Sequence, residues 1–517
     1  MKRWLETVRA VAVKDGGLPI AWLALTIVVL FPVWHQRLLP MLDTPNHLAL
    51  VRAWHSFNDP SYKISDYYSL RIRPVPYLLF YATLHFMMFV TSVEVANKIF
   101  LSVYLILFPL SVLSLAKALK RSPWLALGAF ALAFNQNWIY GFSSYLMGTC
   151  FMFFSWALLI RYLAEGGRLR VALLCVSTLL AYLGHVMPWF CIGLGGIAIL
   201  ILDWRRWRRG LVAAAAMLPS LLLAIAMYLQ ERQDRTYMKQ GDGFAASWRD
   251  FPTLVIEFPR RIMELFPGVF DYAVLGIITA CVIAVYFTRV RGGASTDAHS
   301  ERQLKWLLIL LALTYLTLPY QITKPLYWWF ISPRVPSMMA PLILLWPRGP
   351  IEGWRRLLLI PMVAACLALP IKLGILYRDF SNRNLAVMRL LAEVPRGANT
   401  LVVVRGMMRG PNPEEKSGDP ATSGPVYWHF SSWPMALNGG YDPYLFDQGI
   451  PVRPKVMLKA PTWSTADTFD IRQAPEFDYY LVRLPMDSMQ REPSLKLVDE
   501  LGEWSLFHRM YPLTDEP

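Results

Sequence analysis

Charge is what this chain is short of. Only 17% of its 517 residues are Asp, Glu, Lys or Arg, where a soluble chain of this size carries about a quarter. That shortage excludes a large water-soluble globule, and apolar runs of about 17–22 residues recur at the length that crosses a bilayer. Cysteine is scarce as well. Cys150, Cys175, Cys191, Cys281 and Cys366 all fall inside apolar runs without metal-ligand spacing, so neither a disulfide framework nor a zinc site is implied. A Gly-rich phosphate loop, a His-Glu-x-x-His pair and a nucleophile elbow are all missing, which excludes the chemistries those motifs carry. No internal repeat or low-complexity tract is visible. The formal charge of +15 would suit nucleic acid, but the Lys and Arg sit between apolar runs. Such placement reads as membrane topology, with no nucleic-acid partner.

The basic clusters orient the spans. Lys2, Arg3, Arg9 and Lys14 place the N-terminus in the cytoplasm, and the first run lacks a small-residue cleavage site, so it reads as a retained span. Spans are expected at 18–36, 95–116, 124–140, 145–162, 170–186, 188–203, 211–229, 270–288, 304–321, 335–347 and 355–376. If 75–90 also crossed, every later basic turn would face outward, so it is expected to be re-entrant or interfacial. The expected fold is a polytopic α-helical membrane protein of about eleven transmembrane helices. It has a large first external loop (37–93) within a membrane domain, 1–380. A small external C-terminal domain of α/β or α+β type (381–517) follows. There, strand character is expected at Leu401–Val404, Tyr479–Val482 and Trp504–Phe507, helical spacing at 383–394, and a mobile loop at 405–425.

The chemistry gathers in the opening loop, Pro40 to Pro76. Asp43-Thr44-Pro45 reads as a helix start, with Asp43 or Thr44 as cap and Pro45 in the first turn. His47, Val51 and His55 then share one helix face. Arg71 and Arg73 precede two prolines. On the same outer side lie Asn135, Asn137, Tyr145 and His185, the loop residues Arg232, Asp234, Arg235, Arg260 and Arg261, and the turn residues Lys324, Tyr327 and Arg334. One carboxylate within a ring of cations suits an anionic lipid head group beside a general base. Against this stand plain readings: Arg260, Arg261 and Lys324 as interfacial snorkellers, His185 as a satisfied structural histidine, and Arg334 within an aromatic belt.

This layout resembles the GT-C class of polyprenyl-phosphate-sugar-dependent glycosyltransferases, which includes protein O-mannosyltransferases and lipid A aminoarabinose transferases. Asp43 occupies the carboxylate position after the first span, LRIRPVPYLLFY the basic-proline position, and the turn after Lys117 the basic end of the next span. DTPNHLALVRAW and NWIYGFSSYLMG are similar in wording to bacterial members. The resemblance implies a multi-pass protein of a bacterial inner membrane, with the C-terminal domain periplasmic or extracellular. It implies sugar transfer from a polyprenyl-phosphate donor to a glycan, lipid or protein acceptor, with inversion. In that picture Asp43 is the base and His47 its support. Arg71, Arg73, His185 and Arg334 hold the donor phosphate, and His55, Asn137, Tyr145 and Tyr327 line the substrate site. Members often carry a second acid, which NQNWIYGFSSY lacks. A divalent metal would then need Asp59 or Asp66, and no other cofactor is implied. Two alternatives stand beside this one: a membrane acyltransferase acting on an envelope glycan through His185, and a non-catalytic scaffold.

Overall fold

A computed structural model describes residues 17–233, 243–288, 298–324, 327–405, 419–446, 451–461, 469–485 and 487–511. The expected cytoplasmic N-terminal cluster, Asp234, Arg235 and most of the 405–425 loop lie outside the described residues.

The chain is dominated by helices. The first, α1 (Leu18–Val29), breaks at Leu30 before a short helix at Phe31–Trp34, where Pro32 falls in the first turn and takes no amide from the ladder. Next is α2 (Thr44–His55), with Pro45 in its first turn. Then α3 (Leu78–Met87) spans ten residues, about 15 Å of rise, too short to cross a bilayer. There follow α4 (Val93–Ala118), α5 (Ser143–Glu165), α6 (Arg168–Gly184), α7 (Val186–Leu202) and α8 (Trp207–Gln233). Then come α9 (Phe251–Ile262), α10 (Phe270–Phe287), α11 (Ala298–Thr317), α12 (Val335–Leu344) and α13 (Ile360–Ala392), and in the C-terminal part α14 (Trp433–Asn438). Among the described residues, five helices are long and apolar enough to cross a membrane: Val93–Ala118, Ser143–Glu165, Trp204–Gln230, Phe270–Phe287 and Gly353–Ala392. Outward rows such as Ile20, Leu23 and Ile27, or Leu211, Leu218, Leu222 and Leu229, are exposed in the protein alone, as suits contact with lipid.

Two expected spans differ. Residues 335–347 form only the ten-residue α12, with Pro341 inside it, which is as short as α3. Residues 124–140 do not form a continuous helix but three short pieces, Leu125–Gly128, Ala129–Leu132 and Gln136–Ile139. Asn135 ends the run by turning its side chain onto the Asn137 N–H, in competition with the helix ladder.

The C-terminal part carries a four-stranded sheet of order β4-β6-β8-β7, built from β4 (Thr400–Val404), β6 (Tyr479–Arg483), β7 (Leu495–Leu501) and β8 (Trp504–Arg509). β4 and β6 run parallel in the register Thr400↔Tyr479, and the other pairs are antiparallel. This part is not free-standing. α13 runs unbroken across residue 380, and β1 (Tyr68–Leu70) of the opening loop pairs antiparallel with β5 (Val452–Pro454). A second ribbon joins β2 (Ala245–Ser247) to β3 (Gln321–Lys324).

Candidate active site

Asp43 occupies the N-cap position of α2, yet its side chain makes no capping bond and its backbone is helical (φ −83°, ψ −9°). The carboxylate is therefore not used up in its own helix. The backbone is fixed from outside: the N–H groups of Leu42 and Asp43 donate to the carbonyls of Ile139 and Tyr140 (3.0 and 3.1 Å). Gly141 follows at φ +75°, and a Cβ there would stand 3.1 Å from the amide nitrogens of Asp43 and Thr44, so only glycine lets the second outer turn approach this closely. Burial pushes the Asp43 carboxyl up to about 7, and the positive charge of Arg334 offsets part of that rise.

His47 and His55 do share one face, as their spacing implies. That face packs on α3: His47 Nδ1 lies 2.7 Å from Tyr81 Oη, and the His55 ring is 5.3 Å from that of His85. Burial takes the His47 imidazole down to about 4, so it is neutral at physiological pH. His55 ends the helix among Trp54, His85 and Phe89, about 18 Å of helical rise beyond Asp43.

The cation of the site is Arg334, 6% exposed. Tyr145 Oη donates to its carbonyl (2.7 Å), as does Ser337 Oγ (2.8 Å), and Asn137 Nδ2 donates to that Ser337 oxygen (3.0 Å). Tyr145 and Asn137 thus hold the Arg334 backbone. The guanidinium lies over the Phe142 ring at 4.1 Å and donates to Trp329 O at 3.4 Å, and Tyr77 is near enough to interact with it electrostatically. Its Nη1 is 2.8 Å from His185 Nε2. His185 Nδ1, however, already accepts the Met187 N–H at 3.0 Å. The neutral ring then carries its proton on Nε2, which suits the Tyr77 oxygen at 3.1 Å and turns a donor toward Arg334. Arg334 Nε has no hydrogen-bond partner, and no carboxylate lies within 4 Å of the side chain among the described residues. A buried charge so poorly compensated costs about 3–5 kcal/mol and calls for an anion. Strain marks the same place. Tyr77, which opens α3, has φ +77°, and Phe330, four residues before Arg334, has φ +60°; non-glycine residues hold such angles only where their surroundings over-determine them.

The C-terminal part supplies a residue that the sequence reading missed. His429 Nε2 stands 3.4 Å from Asp43 Oδ1. Burial, and then the nearby His47, takes its imidazole down to about 3, so it too is neutral. Phe446 lies between the histidines, with ring centroids 5.4 Å from His47 and 4.9 Å from His429. Nothing in the sequence flags His429, a lone histidine in an aromatic-rich run.

Other candidates lie apart from this group. The Arg71 N–H donates to Pro451 O and extends the β1–β5 ribbon. Tyr327 is 48% exposed beside β3. Arg260 and Arg261 pair with Glu264 and Glu257, and Gln136 links Arg261 to Glu264. Among the described residues no three His, Cys, Asp or Glu side chains gather to hold a metal ion.

No protein-family model matches the chain, and no curated protein does. Among solved structures, the chain is similar to ArnT from Cupriavidus metallidurans bound to undecaprenyl phosphate, at 13% identity and TM-score 0.46 over 95% of this chain and 98% of that one. The apo state of the same protein gives 13% and 0.47, over 96% and 98%. The arabinofuranosyltransferase AftD from Mycobacteria gives 14% and 0.47, over 96% of this chain and 40% of that chain. With TM-scores below 0.5, these likenesses carry no argument about what this chain does.

Proposed function

We propose that the protein is a membrane glycosyltransferase that moves a sugar from a polyprenyl-phosphate donor to an acceptor hydroxyl, with inversion at the anomeric carbon. The observation that carries this reading is the pairing of a carboxylate turned off its own helix with a buried guanidinium that lacks a carboxylate partner, the two coupled electrostatically. In this reading Asp43 takes a proton and Arg334 takes a phosphate.

In the step itself, the acceptor oxygen attacks the anomeric carbon while the bond from that carbon to the phosphate oxygen breaks. The bond pair leaves with the polyprenyl phosphate, and the acceptor proton passes to Asp43. Arg334 faces the charge that grows on the phosphate, with the Tyr77 hydroxyl and the His185 Nε2–H beside it. Asn137 and Tyr145 position Arg334, and His47 holds Tyr81 on the floor of the site. Arg71 and Arg73, on the strand-and-loop path into Tyr77, take the role of phosphate entry, while His55 and Tyr327 fall at its margins. His185 has both ring nitrogens engaged, which disfavours an acyl-transfer base.

The setting proposed is a bacterial inner membrane crossed about eleven times, with the N-terminus cytoplasmic and residues 381–517 outside. The test supplies proteoliposomes with synthetic polyprenyl-phosphate pentose and hexose together with glycan, lipid and hydroxyl-peptide acceptors, and follows release of polyprenyl phosphate and labelling of the acceptor. Folded Asp43→Asn protein is expected to lose about 10²–10⁴-fold in rate; release at the wild-type rate would overturn the base assignment.

A further inference from the structure

His429 reaches Asp43 from the other end of the chain, and the contacts that bring it there are specific. Asn46, in the first turns of α2, donates through Nδ2 to Tyr444 O (2.9 Å) and Ser432 Oγ (3.2 Å), and its Oδ1 accepts the Phe446 N–H (3.0 Å). Arg52 Nε donates to Ala436 O at 3.1 Å. The 419–446 segment is thereby clamped along α2 on the side away from α3, with the imidazole of His429 aimed at the Asp43 carboxylate.

We infer that His429 is a positioning residue for Asp43: its Nε2–H fixes the orientation of the carboxylate and stabilises its ionised form, so that the site is complete only with the C-terminal segment docked. This rests on the reading of Asp43 as the base. At 3.4 Å the contact is long for a hydrogen bond, and such contacts often tighten only when substrate is bound. The neutral ring can donate from Nε2 without competing with Asp43 for the acceptor proton. Among the described residues, the groups that face Asp43 come from separate elements: Tyr77 and Tyr81 at the start of α3, Arg334 ahead of α12, and His429, with His47 beside His429. Arg334 favours the carboxylate from the phosphate side. His429 favours it from the C-terminal part, with an N–H and no net charge. A donor to the charged form lowers the pKa of a carboxyl, and its removal raises it.

The test reads Asp43 directly. Difference infrared spectra of full-length wild type against Asp43→Asn isolate the protonated carboxyl band, and its amplitude is followed against pH. In His429→Leu the midpoint is expected to rise by about one pH unit. In His429→Gln, whose amide nitrogen falls near the Nε2 position, it is expected to return toward wild type. A purely structural histidine would lower thermal stability in both variants and leave the midpoint in place; that result overturns the inference. If His429→Leu does not fold, His429→Gln and ¹⁵N-histidine spectra of the wild type still decide it. An Nε2 resonance lost in His429→Gln must follow the Asp43 titration, and one that ignores it overturns the inference. Failure here is distinguishable from failure of the base reading. An unmoved midpoint removes the dyad while Asp43→Asn stays inactive, whereas an active Asp43→Asn removes the base whatever the midpoint does.

Discussion

At the N-cap, aspartate usually turns its carboxylate onto an amide in the first turn of its own helix. Asp59 and Asp250 do this, accepting from Ser61 and Thr253. Asp43 does not, and its unused carboxylate is what supports the proposal that it acts as the base. Its carboxyl, raised to about 7 by burial, is neutral in the fold at mild acidity where the unfolded chain would already be ionised. The stability this contributes is fully present below the ordinary carboxyl range, near pH 4, and is lost as pH rises toward 7. Asp43→Asn carries no such dependence. It is expected to be more stable than wild type above pH 7, by up to about 4 kcal/mol, with the gap closing toward pH 4, as read from thermal midpoints in detergent across that range. Under the proposed mechanism activity runs the other way, since a base works in its ionised form. Turnover should climb with pH through about 7. Sequence alone singled out Asp43 because it sits where a span emerges and leads a short His-containing helix. It could not show that the cap was unused, because cap geometry depends on ψ at Asp43, which the turn at Tyr140–Gly141 imposes from a remote part of the chain.

Among elements, the opening helix and its short neighbour were legible from pattern. The His47/His55 spacing fixes a face, the charge bias keeps 75–90 from counting as a crossing, and the helix there is ten residues long. The three strands with dense Val, Leu, Tyr and Trp were legible too. β7 was not, because its sequence LKLVDEL is largely exposed and its register shifts between Leu497 and Asp499. The passage at 124–140 reads as one continuous helix in the sequence and is broken in the structure, because mean apolarity cannot register an asparagine side chain competing for backbone amides. That passage ends at Gly141, where element geometry meets chemistry. Gly141→Ala places a methyl 3.1 Å from the Asp43 and Thr44 amides at a left-handed φ, costing about 1–2 kcal/mol. The expected result is a modest fall in thermal midpoint with a disproportionate loss of turnover, because the displaced backbone carries Asp43. A loss of stability with turnover intact would show that the turn does not set the carboxylate.

At the scale of the whole molecule, the opening loop is enclosed between α3 and the C-terminal part, through the β1–β5 ribbon and the Asn46 and Arg52 bonds. Composition could mark the C-terminal part as different from the membrane part, but it could not show that the two share a site. Contacts such as Asp43 to His429 join residues far apart in sequence and carry no periodic signal. Orientation is testable directly. In a cysteine-free background, a cysteine at Tyr327 is expected to react with an impermeant maleimide in intact cells. One at Arg205 should react only after permeabilisation, and the reverse pattern would invert the topology. The most direct measurement of the central claim is native mass spectrometry of full-length protein purified from membranes. Asp43→Asn should retain a polyprenyl-phosphate-linked sugar that it cannot transfer, and Arg334→Ala should lose that lipid while remaining folded. Absence of any polyprenyl-phosphate species from Asp43→Asn, or its undiminished retention by Arg334→Ala, would contradict the account.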